Sequence, residues 1–223
     1  MSPYGRYKRA GWGPEINGTF GWVLMELPAV LIVAFCFNQG KTLSNVSYIL
    51  FAAWQIHYLH RSLIYPVFLR GKREIPLGII GMAVTFNIIN SYLQGRWLFT
   101  LAPDFYAGGW LYDPRFVVGM SIFFTGMGLN IHSDFLLAKL RSNNGEYGVP
   151  YGGIFTWVSC PHYLGEIVEW MGWAIATWSP AAIAYSLWVW ANLAPRARSH
   201  HLWYKMKFRD YPHERKALIP FLF

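Results

Sequence analysis

His162, Glu166 and Glu169 stand in the run PHYLGEIVEW (161–170), within an apolar stretch long enough to cross a bilayer. At helical periodicity, positions i, i+4 and i+7 lie nearly above one another, so the three form one narrow stripe. A carboxylate at membrane depth costs roughly 2.5–3.5 kcal/mol on insertion scales. Two on one face need a partner, a ligand or a water-filled cavity. The stripe is expected to form one wall of a polar chamber that the remaining helices close.

Other polar groups sit at comparable depth. Glu26 lies mid-span in GWVLMELPAV, with Trp22 one turn before it and Pro28 just after, where proline loosens or kinks the turn. His57, Tyr58, His60, Arg61 and Tyr65 crowd the next span and cannot all face lipid; one of the two histidines reads equally well as plain core. Asn130, Asp134 and Arg141 keep to one side of a helix, a stripe suited to a long ligand entering from water, although Asp134 could instead pair with Arg141 or Lys139. Arg196, His200 and Tyr204 recur every four residues after Pro195, which suits an early helical position. The guanidinium fork favours phosphate. The lysines and arginines beyond 204 read as a basic skirt near anionic lipid. Two compartments follow: a deep one around Glu26 and Tyr58, and a cytoplasm-facing one around Asn130, Asp134, Arg141, His162, Glu166, Arg196, His200 and Tyr204.

The elements that position these groups are helices in a membrane. Of 223 residues 54% are hydrophobic and 13% charged, against about 25% charged in soluble domains. Apolar segments of spanning length fall near 17–37, 46–69, 75–99, 114–138, 153–176 and 179–195. Trp178-Ser179-Pro180 makes the tightest break, a helical hairpin. Fifteen of the 19 Lys and Arg fall at the N-terminus, in the loops near 70–74 and 139–152, and in the tail. That bias places both termini in the cytoplasm. The expected fold is an all-α integral membrane bundle of about six transmembrane helices, one domain over 1–223. Topology accounts for the net charge of +8 without nucleic acid. Cys36 and Cys160 imply no disulfide framework, and no cleavable signal peptide is visible. Seven histidines raise a di-iron hydroxylase, but they do not cluster as such a site requires, so no metal is expected. The sequons at Asn17 and Asn45 hug the membrane and read as chance matches.

Motifs in order along the chain, MELP (25–28), HYLHR (57–61), NIHSD (130–134), GGIFTWVS (152–159), HYLGEIVEW (162–170), ATWS (176–179) and RKALIPFLF (215–223), resemble those of the steroid 5α-reductases. The resemblance covers nearly the whole chain, which begins after the first transmembrane helix that members of the family generally carry. It implies transfer of hydride from NADPH to the 4,5 double bond of a 3-oxo-Δ4 steroid. A very-long-chain trans-2-enoyl-CoA reductase is the alternative, since it shares the tail motifs and the cofactor. Substrate contacts would come from Trp22, Glu26, Tyr58 and Arg61. Cofactor contacts would come from Asn130, Asp134, Arg141, Tyr147, His162, Glu166, Trp170, Arg196, His200 and Tyr204. A monomer is implied, in the endoplasmic reticulum membrane of a eukaryote or the inner membrane of a bacterium, with the active site open to the cytoplasm.

Both readings call for the same chemistry. Hydride adds to an alkene only when it is conjugated to a carbonyl whose oxygen is stabilised as charge develops. Tyr58 and Glu26, the latter taken as protonated or sharing a proton, can supply those donors. Arg141 and Arg196 suit phosphates, Asp134 a ribose or adenine donor, and Glu166 with His162 the nicotinamide end.

Overall fold

A computed structural model describes residues 10–68, 74–144 and 148–223. The described chain is almost entirely helical and divides into two compact units, Met1–Asp113 and Pro114–Phe223.

In the first unit, α1 (Gly18–Asn38) begins where Asn17 caps it, the side-chain oxygen accepting from the Thr19 and Phe20 amides. One of the two sequons is therefore a helix cap. Strand β1 (Glu15–Asn17) pairs antiparallel with β2 (Glu74–Pro76), which leads into α4 (Leu77–Arg96). Pro76 offers no side-chain cap, and the carbonyls of Pro14 and Trp12 instead accept from the amides of Leu77 and Gly78. α2 (Asn45–Leu59) opens on a reciprocal Ser44–Ser47 capping box and passes through a π-helical turn, His60–Ile64, into the short α3 (Tyr65–Phe68). Such turns recur at functional sites.

α1 and α4 make the main packing of this unit, and Met25, Ile75, Ile79 and Ile80 form its apolar cluster. Further along α4 the buried face turns polar: Asn87, Asn90, Ser91 and Gln94, at i, i+3, i+4 and i+7. The exposed face carries Met82, Ile88, Ile89, Tyr92 and Leu93. A water-soluble helix has the opposite arrangement. Apolar side chains outside and polar ones inside suit hydrocarbon as solvent.

The second unit is built on α5 (Pro114–Asn144), α6 (Pro161–Thr177) and α7 (Pro180–Lys207). α5 and α6 pack backbone to backbone through glycines. A Cβ on Gly126 would overlap the Glu169 backbone nitrogen, and one on Gly119, Gly165 or Gly172 would meet backbone of Ala176, Asn130 or Phe123. Small residues at such spacing let membrane helices approach closely. Trp178 ends α6 in the left-handed conformation, and Ser179 Oγ then caps α7 by accepting from the Ala182 amide at 3.0 Å. This is the tight helical hairpin expected from Trp178-Ser179-Pro180.

Three expectations change. The apolar stretch 153–176 is not one helix, because Gly152 and Gly153 adopt positive φ and the helix starts only at Pro161. Its 17 residues span about 25 Å. Pro195 is not near a helix start. Pro180 takes that place, and α7 runs through Pro195 without a break. Arg215 is not in a solvated skirt, as described below. Gly18–Asn38, Leu77–Leu101 and Pro114–Leu140 are each long and apolar enough to cross a membrane.

Candidate active site

In the first unit the polar groups of α1 and α2 are held in register by two tryptophans. Trp22 Nε1 donates to the Arg61 carbonyl at 3.1 Å, and Trp54 Nε1 donates to the Ala29 carbonyl at 3.1 Å. The first bond lies one turn before Glu26 and just after Tyr58; the second lies just after Glu26 and one turn before Tyr58. On antiparallel helices this bracketing sets Glu26 and Tyr58 at the same depth. Gln55 adds a third clamp, donating to the Val30 carbonyl. Tyr58 is buried, its ring tilted on Trp54 at 4.7 Å and met edge-on by His57.

The π-helical turn places Arg61 over two rings, 5.3 Å from Trp22 and 4.5 Å from Tyr65, which themselves lie 5.2 Å apart. Trp22, Arg61 and Tyr65 thus form an aromatic wall with a cation near the depth of Glu26 and Tyr58. Pro28 cannot bond back to the Leu24 carbonyl. One residue on from Leu24, the Met25 carbonyl accepts from Asn87 Nδ2 at 2.6 Å, and that nitrogen also lies 3.3 Å from Glu26 Oε2. Asn87 was not singled out from sequence, although its polar stripe on α4 has the same helical spacing as the stripe on α6.

In the second unit Asn130 Nδ2 donates to the His162 carbonyl at 2.8 Å, tying α5 to the first turn of α6. The His162 and Tyr163 rings lie 4.2 Å apart, and Tyr163 Oη is 3.3 Å from His200 Nε2 on α7. Tyr163, which the sequence reading omitted, thereby meets both the His162 ring and His200, while Asn130 holds the His162 backbone. Glu166 and Asp134 are half-buried, as is Arg196, while Glu169 is wholly buried at the α5–α6 packing. Tyr204 stacks on Tyr211 at 5.3 Å. Trp170 is fully enclosed, edge-on to Tyr185 at 4.6 Å and to Phe123 and Trp173. Tyr147 lies outside the described residues, as does the Arg141 side chain.

Beside this group the tail is clasped to the segment before α6. Val158 and Lys216 form a bridge, and Ser159 Oγ lies 2.6 Å from both His201 Nδ1 and Tyr211 Oη. Burial, reinforced by Lys205 and Lys216, pushes His201 below the usual imidazole range. Burial likewise pushes the Tyr211 phenol up, so it keeps its proton. Arg215 is buried, donates Nη1 to the Pro150 carbonyl at 2.9 Å and faces the Tyr151 and Tyr211 rings at 4.9 and 5.3 Å. Two tyrosines and a carbonyl can hold a guanidinium out of water, whereas Lys205, Lys207 and Arg209 are exposed as expected. The GGIFTWVS run therefore serves as a clasp rather than as part of a spanning helix.

Comparison with known proteins bears on both units. The family profile described as 3-oxo-5-alpha-steroid 4-dehydrogenase matches residues 73–223. The chain is 44% identical over 232 residues to steroid 5-alpha-reductase DET2 of Arabidopsis thaliana, covering all of this chain and 88% of that protein. It is 40% identical over 226 residues to 3-oxo-5-alpha-steroid 4-dehydrogenase 1 of Homo sapiens, covering all of this chain and 86% of that protein. Identity at this level over the whole chain, on a helical scaffold with inverted polarity, leaves one assignment: the chain belongs to the 3-oxo-5-alpha-steroid 4-dehydrogenase family and is a membrane oxidoreductase.

Proposed function

We propose that the protein reduces the 4,5 double bond of 3-oxo-Δ4 steroids to the 5α-reduced 3-oxo product, using NADPH. The observation that carries this reading is the common depth of Glu26 and Tyr58, set by the two tryptophan bonds that bracket them. Around them Trp22 and Tyr65 offer flat apolar faces suited to a rigid ring system.

The residues of the second unit fit a phosphorylated dinucleotide by the chemistry of their donors. A guanidinium at Arg196 suits phosphate, the carboxylates of Asp134 and Glu166 accept from hydroxyl or amide groups, and the His162–Tyr163–His200 chain supplies both donors and acceptors. Asn130, Arg141, Tyr147, Trp170 and Tyr204 complete the proposed cofactor set. NADPH, when bound, supplies the hydride.

This chain's own residues do the rest. Tyr58 Oη and Glu26 donate to the C3 oxygen of the substrate, stabilising the charge that grows there as C5 accepts hydride. Trp22 and Arg61 orient the rings and exclude water from the reacting face. The C4 proton then comes from water. Six spans with both termini in the cytoplasm complete the reading, in an endoplasmic reticulum or inner membrane according to the source cell. The protein would act there as a monomer.

Purified protein with NADPH is expected to convert a 3-oxo-Δ4 steroid to a product two mass units heavier and to leave a long-chain trans-2-enoyl-CoA unchanged. Reduction of the enoyl-CoA alone would reverse the assignment.

A further inference from the structure

We propose that Asn87 is a positioning residue for Glu26, fixing the orientation of its carboxyl group and the oxygen that carries its proton. The inference rests on the reading of Glu26 as a donor to the substrate ketone, and goes one step behind it.

The orientation of the Asn87 amide is settled by its partner. The Met25 carbonyl can only accept, so the atom 2.6 Å from it must be the amide nitrogen. That carbonyl lies next to the Leu24 carbonyl, which Pro28 leaves without its helical donor. The bond therefore pins the amide to the α1 backbone, and Asn87 itself is held on the buried face of α4. The same nitrogen has a second hydrogen, and Glu26 Oε2 lies 3.3 Å away. An oxygen that accepts an N–H bond is a poor place for a proton. A protonated Glu26 is thus directed to carry its proton on Oε1, leaving that oxygen as the donor.

One side chain thereby ties the α1 backbone at Met25 to the acid beside it. Further along the stripe, Gln94 Nε2 donates to Asn90 Oδ1 on α4 at 3.4 Å.

A double-mutant cycle in the full-length protein tests this. Asn87→Leu is expected to lower kcat about tenfold while KM for the steroid moves less than about twofold. In a Glu26→Leu background, where no carboxyl group is left to orient, the same change is expected to cost less than about twofold. A tenfold loss in both backgrounds would overturn the proposal, because Asn87 would then act through packing alone. If Asn87→Leu does not accumulate, Asn87→Ser, with one hydroxyl donor for two acceptors, enters the same cycle under the same criteria. Near-normal turnover of Glu26→Gln by itself would remove the role of Glu26 in the ketone site, a failure read without any change at Asn87.

Discussion

Glu26→Gln, which replaces an acidic O–H donor by a much weaker amide donor, and Tyr58→Phe, which removes a hydroxyl donor, are each expected to lower kcat for a 3-oxo-Δ4 steroid by about 100- to 1,000-fold, the usual cost of losing one strong donor to a developing oxyanion. Both substitutions preserve shape. Tyr58 is packed on Trp54 and His57, contacts that a phenylalanine ring retains. Glutamine at 26 keeps an oxygen for the Asn87 amide but has no acidic proton to share. Neither position lies in the second unit, so binding of NADPH, followed by fluorescence titration, is expected to change less than about threefold from the binding free energy left untouched. If both variants turn over near the wild-type rate, the pair does not polarise the ketone.

The second large effect is on folding. Gly126→Ala is expected to destabilise the protein by about 1–3 kcal/mol or more, the range for forcing extra volume into a packed core. The added methyl would overlap the Glu169 backbone nitrogen and lie 2.7 Å from the Gly165 carbonyl oxygen. Backbone atoms of a helix cannot rotate aside as a side chain can, so α5 and α6 would have to separate. Separation would also pull Asn130 from the His162 carbonyl, one turn away, and so loosen the start of α6. Gly128, two residues on, is exposed and a Cβ there meets nothing within 4 Å. Gly128→Ala is therefore expected to leave stability unchanged or raise it by about 0.5–1 kcal/mol through helix propensity. Thermal unfolding in detergent micelles compares the two. Equal losses would mean that the glycine contacts do not govern the packing of this pair.

What could be read in advance followed from cost. Glu26, Tyr58, His162 and Glu166 stood out because ionisable or strongly polar groups in apolar runs are expensive, and helical spacing placed them on common faces. The helices were legible for the same reason, since long apolar runs between turn residues leave few alternatives in a bilayer. What escaped was set by partners distant in sequence. Asn87 is an uncharged amide whose partners, the Met25 carbonyl and Glu26, lie more than 60 positions earlier. In the run GMGLNI (126–131), only the α5–α6 pairing shows why Gly126 must be glycine while Gly128 need not be. Arg215 looked like one more basic residue of the tail until Tyr151 and Tyr211 closed around it. The 153–160 stretch is apolar enough for a span, but its hydrogen bonds go to Lys216 and Ala217, and hydropathy carries no information about that choice.

The most direct test of the central claim is to trace the hydride. Purified protein is given a 3-oxo-Δ4 steroid and NADPH deuterated at the transferable position of the nicotinamide, and the product is resolved by mass and NMR. One deuterium at C5 on the α face, with solvent hydrogen at C4, is the expected result. Product carrying only solvent hydrogen at C5, or no reduced steroid from folded protein that binds NADPH, would contradict it.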